Sequence, residues 1–250
     1  MKQKAMRAVS AFTRIELIVV IGVVVVLASM LLPAVHKHKS KAERITCLNN
    51  LKEIGTAYRL WSPGQSDLPP PQEPISAGGW HDLLTKADQG PNCWTNYALI
   101  ANELGQSPKL LICPADERRP AKDFKTDFHD NTHLSYFVGV GASDSYPQSI
   151  QGGDRNLGPG LVPDSDYGYS PKSGKGNDVA VPISGHVSWS LKMHSASNAF
   201  GAGNFLLGDG SGQQASSALF RTNWLPNTEP TTNWPAGHIP SSPSIRLVFP

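Results

Sequence analysis

Three cysteines, Cys47, Cys93 and Cys113, head the residues whose chemistry this chain could use. Cys47 lies on the flank of a predicted helix face and Cys113 closes a predicted strand. A Cys47–Cys113 disulfide would therefore tie helix to sheet, with Cys93–Cys113 and three free thiols as the other arrangements; an oxidising compartment would leave one thiol over. His129 and His133 in His129-Asp130-Asn131-Thr132-His133 have the i, i+4 spacing of a metal-binding pair. The segment lacks the HExxH glutamate and runs into a predicted strand, where the two rings share no face, so a surface loop is expected. Gly208-Asp209-Gly210-Ser211-Gly212, with Asp154, Asp164 and Asp166, could offer oxygen ligands to calcium. No D-x-D-x-D-G run occurs and a hairpin turn accounts for Asp209-Gly210, so no cofactor is expected and calcium is assigned no ligands.

Signals of catalysis are weak. No GxSxG, SxxK or P-loop sequence is present, and Ser211 has the wrong flanks for a nucleophile elbow. His186 and His194 could act with Asp209, but nothing in their spacing makes a triad. Trp61, Trp80, Trp94, Trp189, Trp224 and Trp234 read as core or interface anchors rather than a carbohydrate platform. No catalytic residue is assigned and no enzyme is expected.

The elements that must position these residues follow from pattern. Of 250 residues, 39% are hydrophobic and 44 are Gly or Pro, which predicts a modest core with long irregular loops. Net charge is +2, and Lys2, Lys4 and Arg7 all precede the apolar run beginning at Leu17, so the remainder is nearly neutral and carries no footprint for nucleic acid. Ile45, Leu48, Leu51, Ile54, Tyr58 and Trp61 recur at helical steps and end at Ser62-Pro63-Gly64. Residues 62–79 read as an extended Pro/Gly-rich linker. Asn92 to Gly105 predicts a short helix. Lys109 to Cys113, His133 to Ala142, His186 to Met193 and Asn204 to Gln214 predict strands, the last turning at Asp209-Gly210, with a short helix over Ser216 to Leu225 and an edge strand at Ile245 to Phe249. Gly152 to Gly185 is rich in Gly and Pro and predicts an irregular excursion. The sum is an α+β fold, a long N-terminal helix packed on a small antiparallel sheet with long loops.

Leu17 to Leu32 is an apolar or small stretch of about 24 Å as a helix, short of a hydrocarbon core of about 30 Å; Phe12 to Val35 extends it to about 36 Å. Spanning then requires Arg14 and Glu16 to sit near one interface, where the carboxylate still wants a partner. Ala11-Phe12-Thr13-Arg14-Ile15-Glu16-Leu17 resembles the prepilin signal of type IV pilins and type II secretion pseudopilins. The resemblance implies a leader at residues 1–11, cleavage between Ala11 and Phe12 by a prepilin peptidase, and N-methylation of Phe12. It implies a transmembrane and assembly helix at 12–35, kinked at Pro33, and an amphipathic continuation at 36–61. Glu16 would meet the N-terminal amine of a neighbouring subunit, an arrangement that favours registry more than net stability. Arg14 departs from the usual Leu of that pattern, and Ala11 from the commoner Gly.

Farther along, the stretches CLNNLKEIG, ICPAD, SYFVG, GGDRN and GNFLLGDGS are similar to pilin-like proteins abundant in planctomycetes and verrucomicrobia. The resemblance implies a single-pass inner-membrane subunit with its globular head, residues 80–250, in the periplasm. Expected partners are other pilin-like subunits, the prepilin peptidase, an inner-membrane assembly platform and lipid. A signal-anchored extracytoplasmic enzyme or ligand-binding domain is the alternative.

Overall fold

The computed structural model describes residues 13–64, 68–82, 92–170, 181–183, 185–195, 200–228 and 245–250, without the side chains of 30–39, 64 and 182. Helix α1 is Arg14–Trp61, and the assignment runs through Pro33. The chain forms two compact units, residues 1–42 and residues 43–250. The boundary puts the last turns of α1 in the larger unit, not in a segment of their own.

In the smaller unit, Ile15, Leu17 to Ile21 and Val23 to Leu27 are each more than half exposed. Thr13 and Glu16 start the helix as a capping box of the T-x-x-E kind, in which side chains satisfy orphan N–H groups of the first turn. The Glu16 carboxylate accepts from Thr13 N at 2.8 Å and from Thr13 Oγ1 at 2.7 Å. The expected transmembrane half is not found: among the described residues no helix is long and apolar enough to cross a membrane. This also overturns the expected single-pass inner-membrane placement. The helix opens with Arg14 and Glu16 in its first turns, two charges that a hydrocarbon core penalises.

In the larger unit, a six-stranded antiparallel sheet has the order β4-β8-β1-β2-β6-β7. Its strands are β1 (Tyr136–Gly139), β2 (Ile150–Asp154), β4 (Val181–Ile183), β6 (Ala202–Leu207), β7 (Gly212–Ser216) and β8 (Ile245–Val248). A separate ribbon pairs β3 (Leu157–Pro159) with β5 (Val187–Trp189). Two short helices, α2 (Cys93–Leu99) and α3 (Ser217–Leu219), complete the elements that matter here. The sheet is double-sided. Tyr136, Val138, Leu206 and Val248 join Cys47, Leu51, Ile54, Ala57 and Tyr58 of α1 in one core. Phe137, Ile150, Phe205, Leu207, Ile245 and Leu247 join Trp189 and Phe220 in the other. Strand neighbours therefore alternate between two buried faces, as period-two geometry dictates.

Several expectations are corrected here. Lys109 to Cys113 is not a strand; Pro108–Leu111 form a 3-10 turn, as a proline at its start favours. The C-terminal strand is no edge, since β8 pairs with both β1 and β4. Residues 152–170 are more ordered than their glycines suggest, because β3 and the end of β2 lie there. In the predicted linker, Pro69, Pro70, Pro71 and Glu73 are buried, so that part is packed chain rather than spacer. Ile45 is 47% exposed; the buried helix stripe is Cys47, Leu51, Ile54 and Tyr58.

Candidate metal centre

Four buried side chains converge beneath α1. Ligand atoms of Cys47, Cys113, Asp154 and His194 all lie within 4.8 Å of one another, a group that can hold a metal ion. Each arrives from a different part of the chain, and a local feature aims each one.

Cys47 sits on the buried stripe of α1, four residues before Leu51. Cys113 follows the 3-10 turn of residues 108–111 and opens a tight turn in which Asp116 N donates to Cys113 O at 2.9 Å. Asp154 owes its direction to a β-bulge. The β2–β6 register shifts between Ile150 and Gly152, which reverses the alternation of faces. Ile150 therefore packs in the far core, while Asp154, paired with Tyr136, faces α1. A Cβ on Gly153 would lie 2.6 Å from the Phe137 ring, which puts that position on the far face. His194 sits in the 3-10 turn Met193–Ser195. Met193 is left-handed at φ 54°, a conformation that costs a non-glycine residue roughly 1–2 kcal/mol. Ser195 pins the turn, its Oγ donating to Ala202 O at 2.9 Å and accepting from Ala202 N at 2.6 Å.

The next residue after Asp154 clamps the site from outside. Arg155 donates from Nε to Asp116 Oδ2 at 2.7 Å and from Nη2 to Asp116 Oδ1 at 2.8 Å. Its guanidinium also stacks 3.4 Å from the Tyr167 ring centroid. This bidentate pair is fully buried and ties the Cys113 turn to the end of β2. Burial pushes the Asp116 carboxyl up, but Arg155, aided by Ser135 and Arg118, outweighs it and holds it below the usual carboxylate range.

Within the cluster, Cys47 Sγ donates to Asp154 Oδ1 at 2.9 Å, and Asn204 N donates to Asp154 Oδ2 at 2.7 Å. Cys113 Sγ lies 3.2 Å from His194 Nε2, and the same Nε2 lies 3.5 Å from Asp154 Oδ2. Tyr136 OH lies 3.4 Å from Cys47 Sγ. Burial pushes the Cys47 thiol well above its ordinary value, with the neighbouring Cys113 and Asp154 adding to the effect. Burial also raises Cys113, yet hydrogen bonds with Cys47 and His194 outweigh it and bring that thiol below its ordinary value. Burial lowers His194, but Asp154 and Cys113 more than compensate and its affinity for a proton rises. Asp154 is raised, because burial exceeds the help from His194, Cys47 and the Asn204 amide.

A cysteine, a histidine and an aspartate invite comparison with a nucleophilic triad. In such a relay the carboxylate orients the imidazole through the nitrogen that does not face the nucleophile. Here Asp154 and Cys113 both meet Nε2, while His194 Nδ1 is buried with no hydrogen-bond partner among the described residues. Cys113 and Asp154 are also 0% exposed. Donors pointing at one shared spot are what a cation needs, not what acyl transfer needs.

The sequence expectations divide. Cys47 and Cys113 do come together, but all three cysteines are free, so the expected disulfide is not formed. Cys93 lies apart, its thiol near Tyr136 O at 3.5 Å and Val248 O at 3.4 Å. Asp164 caps Asp166 N at 2.9 Å and Asp209 caps Ser211 N at 2.8 Å, each closing its own turn, so only Asp154 of the expected oxygen set enters the site. His133 binds Arg119 O at 2.9 Å through Nδ1 and His129 packs on Trp94, as befits a loop. Glu16 has a partner in its own chain. Ala11 and Phe12 lie outside the described residues, as does Trp234. The sequence offers Asp154 only as an oxygen ligand and His194 only as a partner for Asp209, since no spacing links either residue to the cysteines. No family model, no curated protein and no solved structure matches this chain.

Proposed function

We propose that this chain is a non-enzymatic, pilin-like structural subunit, of the type II secretion pseudopilin kind. A prepilin peptidase cuts it between Ala11 and Phe12, and it polymerises through the start of α1. One observation carries the reading: residues 17–27 form a stretch of helix that is apolar or small on every side and exposed on every side. Successive residues are about 100° apart around a helix, so an unbroken apolar run leaves no polar face. A single partner helix would cover only one flank. Several copies of the same helix, packed around one another, would cover them all, which favours a multi-stranded core over a dimer.

Glu16 has two roles in this reading. It caps its own helix through Thr13, and its charge meets the amine of a neighbouring copy. Hydrogen bonds from Thr13 hold its carboxyl below the ordinary value, so it is ionised at neutral pH. Calcium has no part in the proposal, because it takes six to eight oxygen ligands and the buried cluster offers two sulfurs, a nitrogen and a carboxylate. The closure of that cluster supports a structural rather than catalytic head.

Glu16→Gln separates the two roles of Glu16, since glutamine also completes a capping box but carries no charge. The variant should keep its helix content by circular dichroism and fail to enter filaments seen by electron microscopy. Assembly at the wild-type level would remove the amine-pairing role. Mass spectrometry of the mature N-terminus should find N-methylated Phe12; a chain recovered only as a monomer that keeps residues 1–11 would overturn the proposal.

A further inference from the structure

We propose that Cys47, Cys113, Asp154 and His194 bind one zinc ion in a closed, four-coordinate structural site. The inference is independent of the assembly reading, because it rests on the larger unit alone.

The donor set selects the ion. Two sulfurs, one imidazole nitrogen and one carboxylate oxygen form a borderline-soft site. Calcium and magnesium require oxygen, and iron–sulfur clusters are held by four cysteines or by two with two histidines, where this site has two cysteines and one histidine. Zinc accepts all three donor types in four-coordinate tetrahedral sites. Zinc bonds of about 2.0–2.3 Å place tetrahedral ligand atoms roughly 3.3–3.8 Å apart. The separations of 2.9 Å for Cys47–Asp154, 3.2 Å for Cys113–His194 and 3.5 Å for His194–Asp154 bracket the lower end of that range. The shortest is a hydrogen bond whose proton must leave before an ion can enter, so a few tenths of an ångström of opening accompanies binding.

Charge and surroundings agree. Two thiolates and a carboxylate around a doubly positive ion leave one negative charge. The Arg44 guanidinium interacts with both Asp154 and Cys47 and offsets it. Its place is fixed by Asn204, with Arg44 Nε donating to Asn204 Oδ1 at 3.4 Å. The Asn204 amide on Asp154 and the Tyr136 hydroxyl beside Cys47 supply outer hydrogen bonds that orient the ligands. Binding displaces the protons of the two thiols into solvent and leaves His194 neutral, bound through Nε2. All four residues are buried, so the ion has no open position for a substrate or an attacking water. It would instead fasten α1, the Cys113 turn, the end of β2 and the Met193–Ser195 turn to one another. A Cys47–Cys113 disulfide would satisfy two of these groups and strand a dry carboxylate beside an imidazole.

The test uses the full chain, purified under reducing conditions without chelator. Elemental analysis should find one zinc per chain, and cobalt exchange should give tetrahedral ligand-field bands with a thiolate-to-cobalt charge-transfer band. Chelation should lower Tm by several degrees and added zinc should restore it. Cys113→Ser and His194→Ala should lose the bound zinc, whereas Cys93→Ser, whose thiol lies outside the cluster, should keep it. If the ligand variants do not fold, the wild-type measurements decide the matter on their own. A cooperatively folded wild type without zinc, a cobalt spectrum lacking the thiolate band, or a Cys47–Cys113 disulfide found by mass spectrometry would each overturn the assignment.

Discussion

Residues 15–27 and residues 43–61 belong to the same helix, and both are rich in apolar side chains. In the first stretch Ile15, Leu17 to Ile21 and Val23 to Leu27 are all more than half exposed. In the second, Cys47, Leu51, Ile54, Ala57 and Tyr58 are buried to 2% exposure or less, while Lys52, Glu53, Thr56 and Arg59 face outward. The second stretch alternates sides at steps of three and four and can bury its stripe against one sheet. Beyond Glu16 the first has no polar side to leave in water, so its own chain cannot cover it by offering one surface. Apolar content sets how much burial a helix demands; its periodicity sets whether one neighbour can meet the demand.

The largest effect is expected where the larger unit, on which the second stretch packs, is clamped. Arg155→Ala leaves Asp116 as a buried carboxylate without its bidentate partner, held only by Ser135 and Arg118 among the described residues, and the larger unit should lose about 3–5 kcal/mol in denaturant unfolding. The acid limb should change too. In the wild type Asp116 titrates below its unfolded value of about 3.9, so its contribution is present above that pH and is lost as pH falls through the native value. In the variant burial acts without Arg155, the native value moves up, and mild acid should no longer destabilise through this group. Leu51→Ala, on the stripe over the sheet, should cost about 2–5 kcal/mol by thermal unfolding. Val20→Ala, which removes apolar surface that is 51% exposed, should shift the unfolding of the isolated chain by less than about 0.5 kcal/mol. A large effect there on the monomer would show that residues 15–27 are covered within a single chain.

Legibility in sequence follows the same physical line. The stripe from Cys47 to Tyr58 was readable because helical steps repeat, although Ile45 falls just outside it. The β6–β7 hairpin, turning at Asp209-Gly210, was equally plain, since alternation ends in a turn dipeptide. The Cys47 and Cys113 neighbourhood could be inferred from one helix and one following segment, but not whether sulfur would meet sulfur or something else. Asp154 and His194 could be picked out singly, but not as partners of the cysteines. The aspartate faces α1 only because a bulge intervenes, and the histidine is aimed by a left-handed methionine that no propensity favours. The cap at Glu16 was the reverse case: Thr13 three residues before it is a sufficient signal, overshadowed by the apolar run that follows.

The bulge between Ile150 and Gly152 acts as a spare beat in a two-count rhythm. Deleting Gln151 would remove that beat and leave the pairs as they stand, Ile150 opposite Leu207 and Gly152 opposite Leu206, so Asp154 would keep its side. Deleting Gly153 would not be absorbed in this way: Asp154 would take the place of Gly153, beside the Phe137 ring in the far core. A one-residue deletion after the bulge should therefore be far more damaging than one within it, because it rewrites which side of the sheet is oil and which holds charge.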